Sequence, residues 1–262
     1  MSELLNALTV QARVVFAFIL RDTRTRFGRS RLGYFWAFFE PLTFILSLAL
    51  IFSLMDRGAP IDVDIHLFFF TGIIPWLLFS RGVTVVSSAI ENSTSLLVYP
   101  QVKTIDVVIA RVILEFSTLF IVSIVYLVLL NLWGILDRIE SVLMSIVVLM
   151  LSILLGAGFG LVSAVIRLYL PGYSSFQALL MRILFFVSGI YFVADSLPQV
   201  LRDALWYNPV MHLIEWERSA FFYGFESHFY DPMYLLLWIL GLGFLGLAGE
   251  RATRSKLRQL GL

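Results

Sequence analysis

ENSTSLLVYPQVKTIDVVIAR, residues 91–111, is a polar interruption between two long apolar runs, and Pro100 with its neighbours stops any helix from passing straight through. The rest of the chain reads as arranged to hold this hinge on the cytoplasmic face of a membrane. Composition gives the setting. With 60% hydrophobic residues, 14% charged residues and a mean hydropathy of +0.90 over 262 residues, the chain is far too apolar for a soluble domain. A net charge of +1 says little, because in a membrane protein the placement of charge matters more than its sum. The absence of cysteine excludes disulfides and cysteine metal sites.

Working back from the hinge, residues 4–19 place Leu4, Leu8, Ala12, Val15 and Ile19 on one helical face and Asn6, Thr9 and Arg13 on the other. An amphipathic helix of this kind lies in the membrane interface; the alternative is an ordinary packed helix. The opening residues, with Glu3 in place of a basic start and no small-residue cleavage site, do not read as a removable signal peptide. RDTRTRFGRSR follows, with Arg21, Arg24, Arg26, Arg29 and Arg31 against a single Asp22. Directly before a membrane span, such a run marks the cytoplasmic side and meets anionic lipid rather than nucleic acid.

A span needs roughly 20 apolar residues. Six segments qualify, at about 33–55, 67–90, 105–130, 141–166, 174–194 and 232–250. The fold expected is therefore an all-α integral membrane protein of six transmembrane helices in one domain, residues 32–250, preceded by the cytoplasmic segment 1–31 and followed by the tail 251–262. The ~10-residue alternating strands of a transmembrane barrel are missing. With the amino terminus in the cytoplasm, fourteen of the nineteen Lys and Arg residues fall on that side, Arg182 among them, so both termini are expected there. Acidic residues, including Glu140, Glu215, Glu217 and Asp231, then fall outside.

Between spans five and six, Ser196 and Gln199 have capping-box spacing, and Asn208-Pro209 is a cap followed by a first-turn proline. Two short helices are expected, about 197–206 and 209–222, as a re-entrant pair dipping into the outer leaflet; a folded cap on the outer surface is the alternative.

Catalytic signatures are weak. The chain has no GxxxxGK[ST] phosphate loop, and His66, His212 and His228 show no metal-ligand spacing. Ser188-Gly189 lacks a histidine in an opposing span to activate it, so no catalytic residue and no metal ligand is assigned. Charge inside the spans carries more. Glu40 beside Pro41, Arg81, and Arg111 with Glu115 are costly to place in hydrocarbon. Arg111 and Glu115, four apart, can pair with each other. Arg81 has no acid within four positions, so it must find a partner elsewhere or face water. The 24 Phe, 10 Tyr and 6 Trp suit lipid-facing packing, and equally a sugar-conducting path.

The amphipathic start, RTRFGRSRLGYFWAFFEP at 24–41, six spans and the NP-containing outer segment together resemble the permease subunit of type 2 ABC exporters. FFFTGIIPWLLFSRGV at 68–83 and LLVYPQVKTIDVVIAR at 96–111 are similar to the inner-membrane permeases of group 2 capsular polysaccharide export. The resemblance implies a non-enzymatic permease in the bacterial inner membrane, two copies forming one path for a lipid-linked polysaccharide. It implies a separate ATP-binding subunit that holds ATP and Mg, and no cofactor in this chain. A periplasmic adaptor of the co-polymerase type and an outer-membrane polysaccharide exporter complete the implied partners. Glu91, Asn92, Tyr99, Pro100 and Arg167 are the implied ATPase-coupling residues, although RLYLPG at 167–172 departs from the Arg-Asp pair of related permeases. Arg24, Arg26, Arg29, Arg31 and Arg81 are the substrate-path candidates. An O-antigen or teichoic acid permease shares this skeleton, and a membrane enzyme acting on a lipid-linked sugar is the rival of a different class.

Overall fold

The computed structural model describes residues 2–27, 31–89, 103–136, 138–170 and 172–259; the side chains of 2–8, 24–27, 31–35, 37 and 254–259 lie outside that description. Long apolar sequence with no β alternation gives helices throughout: α1 (Ser2–Phe27), α2 (Arg31–Leu54), α3 (Ile65–Ser87), α4 (Thr104–Leu132), α5 (Val142–Tyr169), α6 (Tyr173–Val187), α7 (Gln199–Leu205), α8 (Pro209–Phe221) and α9 (Pro232–Gln259). Among the described residues there is no strand, only one isolated antiparallel bridge between Ile139 and Phe222.

A helix stands at each of the six expected span positions. Four are long and apolar enough to cross a membrane: α3, α4, α5 and the Pro232–Thr253 part of α9. The described apolar stretch of α2, Phe38–Leu54, is shorter, within a helix of 24 residues, and α6 is shorter too. At about 1.5 Å per residue, fifteen residues of α6 extend about 22 Å, less than a ~30 Å hydrocarbon core. The chain leaves α6 through Ser188 and turns at Gly189, whose φ of +84° favours glycine.

α3 is the buried centre. Its Phe68, Phe69, Phe70, Ile73, Ile74 and Phe79 form the main core with residues of α2, α4, α5 and α8. It meets α5 backbone to backbone. A Cβ at Gly156 would collide with the Phe79 carbonyl oxygen, one at Gly160 would sit 2.9 Å from Val83 O, and one at Gly82 3.1 Å from Ile153 O. Gly156 and Gly160 are four apart, the small-residue spacing that lets membrane helices approach closely. On its other side α5 packs closely on α9 through side chains, because a Cβ at Gly246 would lie 2.5 Å from Leu161 Cβ.

The bundle has two chemically different ends. At one, α1 lies against α4 and the end of α3: Phe18 is buried among Val86, Ala89, Val107 and Val108, and Gln11 donates to Asp106 at 2.9 Å. Val15 and Ile19 join this packing as their helical spacing predicts. Ala12, expected with them, is exposed, since the face turns toward Phe18 instead. Val10, Phe16 and Leu20 stay exposed on the far side of α1. The end of α5 and the carboxyl-terminal part of α9 lie at this same end, where Gly249 packs on Val165.

The opposite end is closed by α7 and α8, which occupy the two short-helix positions expected. Asn208 caps α8 by accepting from Val210 N at 3.0 Å, with Pro209 in the first turn. The capping box at α7 does not form. Ser196 belongs to a 3₁₀ turn and donates to Val193 O at 2.8 Å, and Pro198 takes the cap position. α7 buries no residue, whereas α8 is enclosed by α3, α5 and α9.

Candidate functional site

The first polar constellation lies where α2, α3 and α4 meet. Arg81 is 15% exposed and sits 3.2 Å from Glu40 Oε2 and 3.7 Å from Glu115 Oε2. Glu115 is 1% exposed and Glu40 is 72% exposed. Arg81 thus finds across the helices the partners its own helix lacks, one behind it in the core and one in front at the surface. An arginine held by a buried carboxylate can keep its charge within a span. Neighbouring Arg111 points to the α1 end, with Asp22 Oδ2 3.6 Å away and a hydrogen bond donated to Val85 O at 3.1 Å. It therefore fastens α1 and α3 to α4.

Arg167, in the last turn of α5, donates to Gln177 Oε1 at 3.2 Å, and Gln177 donates to Ser87 Oγ at 3.3 Å. This relay ties α5, α6 and the end of α3 together at the α1 end. Of the other expected coupling residues, Glu91, Asn92, Tyr99 and Pro100 lie outside the described residues. So does Arg29, while Arg24, Arg26 and Arg31 fall in α1 and α2 with side chains outside the description.

The sequence reading placed Glu215 and Glu217 with the outer charges. Both, and Arg218 beside them, are fully buried in α8. Arg218 donates to Phe192 O at 2.8 Å, to Glu215 Oε1 at 3.3 Å and to Ile190 O at 3.4 Å, and its guanidinium lies 4.2 Å from the centre of the Phe68 ring. Glu215 also accepts from Ala194 N at 3.0 Å. Burial pushes the Glu217 carboxyl up to about 8, against the pull of the Ser145 hydroxyl that donates to it at 2.5 Å. Nothing in linear spacing separates these residues from solvated loop charge. The available signal was the Asn-Pro helix start followed by apolar residues on every side of Glu215 and Glu217.

The chemistry open to the other candidates is limited. His212 is buried with both ring nitrogens engaged: Nε2 donates to Trp206 O at 2.6 Å and Nδ1 accepts from Asp231 N at 3.0 Å. Burial lowers its pKa, which keeps the ring neutral. Ser188 donates to Leu184 O at 2.6 Å and accepts from Asn208 at 3.0 Å, so its hydroxyl is structural. Among the described residues no three His, Cys, Asp or Glu side chains gather as a metal site.

The described residues thus form a bundle of apolar helices with a charge cluster held across α2, α3 and α4. The chain belongs to the ABC-2 type transporter family, which it matches over residues 13–222. It is similar to the polysialic acid transport protein KpsM of Escherichia coli, 36% identical over 254 residues, covering 96% of this chain and 97% of that one. It is also similar to the capsule polysaccharide export inner-membrane protein CtrC of Neisseria meningitidis, 27% identical over 247 residues, covering 94% and 93%. The O-antigen export system permease protein RfbA of Klebsiella pneumoniae is more distant, 23% identical over 229 residues, covering 85% and 86%.

Proposed function

We propose that this chain is the permease subunit of an ATP-driven exporter that moves a lipid-linked capsular polysaccharide across the inner membrane through a path formed by two copies. One observation carries the proposal: similarity at 36% identity across nearly the whole chain to a polysialic acid transport protein of the same family. ATP and Mg belong to a separate ABC ATP-binding subunit. A periplasmic adaptor and an outer-membrane exporter receive the polymer.

In this proposal all six apolar helices span the membrane, α6 being extended to full depth by the chain after it, and α7 and α8 form the re-entrant pair on the periplasmic side. Both termini are cytoplasmic, and α1 lies in the interface with Val10, Phe16 and Leu20 toward lipid. The ATPase engages the α1 end through α1, residues 91–100 and Arg167. The relay from Arg167 through Gln177 to Ser87 supports that role, because a push there reaches three helices at once. Arg24, Arg26, Arg29 and Arg31 attract the anionic lipid end of the polymer.

Co-purification from gently solubilised membranes tests the proposal. A complex of two permeases with two ATP-binding subunits, whose hydrolysis depends on residues 91–111, is expected. Repeated recovery of the permease without any ATP-binding partner would overturn it.

A further inference from the structure

We infer that the face of α2 carrying Glu40, Thr43 and Ser47 is a wall of the water-filled path. There Arg81 holds the Glu40 carboxylate as a fixed acceptor for the hydroxyl groups of a polyhydroxylated chain. The inference rests on the exporter reading and adds to it a place of contact.

At about 100° per residue, positions 40, 43 and 47 fall within about 60° of one another and form one stripe along the helix. Glu40 is the tenth residue of α2, about 14 Å along its axis, and falls inside the apolar stretch Phe38–Leu54. A charged side chain there is costly against lipid. Yet Glu40 is 72% exposed, the most open member of its ion cluster. Beside it is a cavity of about 460 Å³ lined by Glu40, Pro41, Thr43, Phe44, Ser47 and Leu77. Phe39 and Leu46, on a neighbouring face of the same helix, are exposed and apolar as a lipid contact requires.

A second charge is open nearby. α6 packs beside α2 through Phe185, which stacks on Phe44 with ring centres 5.7 Å apart. Three residues before Phe185, Arg182 is exposed midway along α6, not at a cytoplasmic end. Adjacent helices thus present charge of both signs within the span, a pattern water satisfies and hydrocarbon does not.

The geometry also fixes what the wall can hold. Arg81 is held from behind by Glu115 and faces Glu40 in front, so the open Glu40 carboxylate has one fixed cation beside it and room to accept from hydroxyl donors. The Thr43 hydroxyl spends its proton on Phe39 O at 2.8 Å, or on Glu40 O at 3.0 Å, which leaves its oxygen as an acceptor.

The chain has no cysteine, so single cysteines report directly. Thr43→Cys, Ser47→Cys, Leu46→Cys and Leu240→Cys are made in the assembled complex and treated with a charged, membrane-impermeant thiol reagent from either side. Because the thiolate is the reactive form and hydrocarbon suppresses it, Thr43→Cys and Ser47→Cys are expected to label at least about tenfold faster than the two leucine positions. Equal, slow labelling at all four would overturn the inference, as would disulfide-linked dimers at 43 or 47 in place of labelling. Export is measured alongside: Glu40→Leu is expected to lower it more than Glu40→Gln, which keeps an acceptor oxygen, and equal export from the two variants would overturn the acceptor role. Flat labelling in a complex that still exports removes only the wall. Absence of an ATP-binding partner removes the exporter reading, whatever the labelling.

Discussion

Gly156→Ala adds one methyl group where α3 and α5 touch, and its cost follows from that contact. The new Cβ would fall inside the contact distance of the Phe79 carbonyl oxygen, a backbone atom held in the buried helix α3 that no rotamer change can move. The helices must part. At Gly160 the same methyl would lie 2.9 Å from Val83 O, short of an ordinary contact by about 0.5 Å, with the Val86 side chain at 2.8 Å. Gly241, in α9, has nothing within 4 Å of its Cβ position. Overpacking of this kind costs about 1–3 kcal/mol, and the expected order is Gly156→Ala worst, Gly160→Ala intermediate and Gly241→Ala near zero. In a chain of about this size each kcal/mol shifts Tm by about 2–4 °C, so Gly156→Ala should melt several degrees below the parent. Melting is followed in detergent by the loss of monodisperse fluorescent fusion on size exclusion. If Gly156→Ala and Gly241→Ala melted together, the backbone contact between α3 and α5 would be refuted.

Arg218→Met should lower stability by about 3–5 kcal/mol, because it leaves Glu215 buried without its cation; Arg218→Lys should not restore it, since a point charge cannot reach the three acceptors, and folded yield from membranes checks both. Glu217 keeps its proton in the folded protein up to about 8 while the unfolded chain loses it near 4.5, so the unfolded state binds fewer protons and stability falls as pH rises through that interval. Glu217→Gln should flatten this dependence, read as Tm against pH. Arg167→Ala should leave the fold standing and reduce polymer-dependent ATP hydrolysis in the reconstituted complex several-fold, because the tie from α5 to Gln177 is cut while each helix keeps its apolar packing.

Helix positions were legible in the sequence because hydropathy alone decides where a span can lie, and Asn208 with Pro209 marks a break whose chemistry is local. The Asn208 cap forms as its residue types dictate, whereas the Ser196 box does not, because Pro198 holds the chain extended at the point where the box would close. Arg81 was legible as a charge requiring a partner, but the identity of that partner was not. Glu40 and Glu115 are 41 and 34 residues away, and only packing of α2, α3 and α4 brings them together. The burial of the α8 charges was illegible for a related reason. Glu215 and Arg218 satisfy one another and the carbonyls of Ile190 and Phe192, and a sequence shows a charge without showing the acceptors that allow its burial.

The glycine contact between α3 and α5 has a mechanical consequence. Where α3 and α5 touch at Gly156 no side chain lies between their backbones, so that seam has no layer that can shear. α2 and α6 meet α3 through rings instead, Phe52 on Phe69 and Trp76 on Phe185, which can slide and re-register. The α3–α5 seam is therefore the stiff element of the bundle, and the ring contacts of α2 and α6 are the compliant ones.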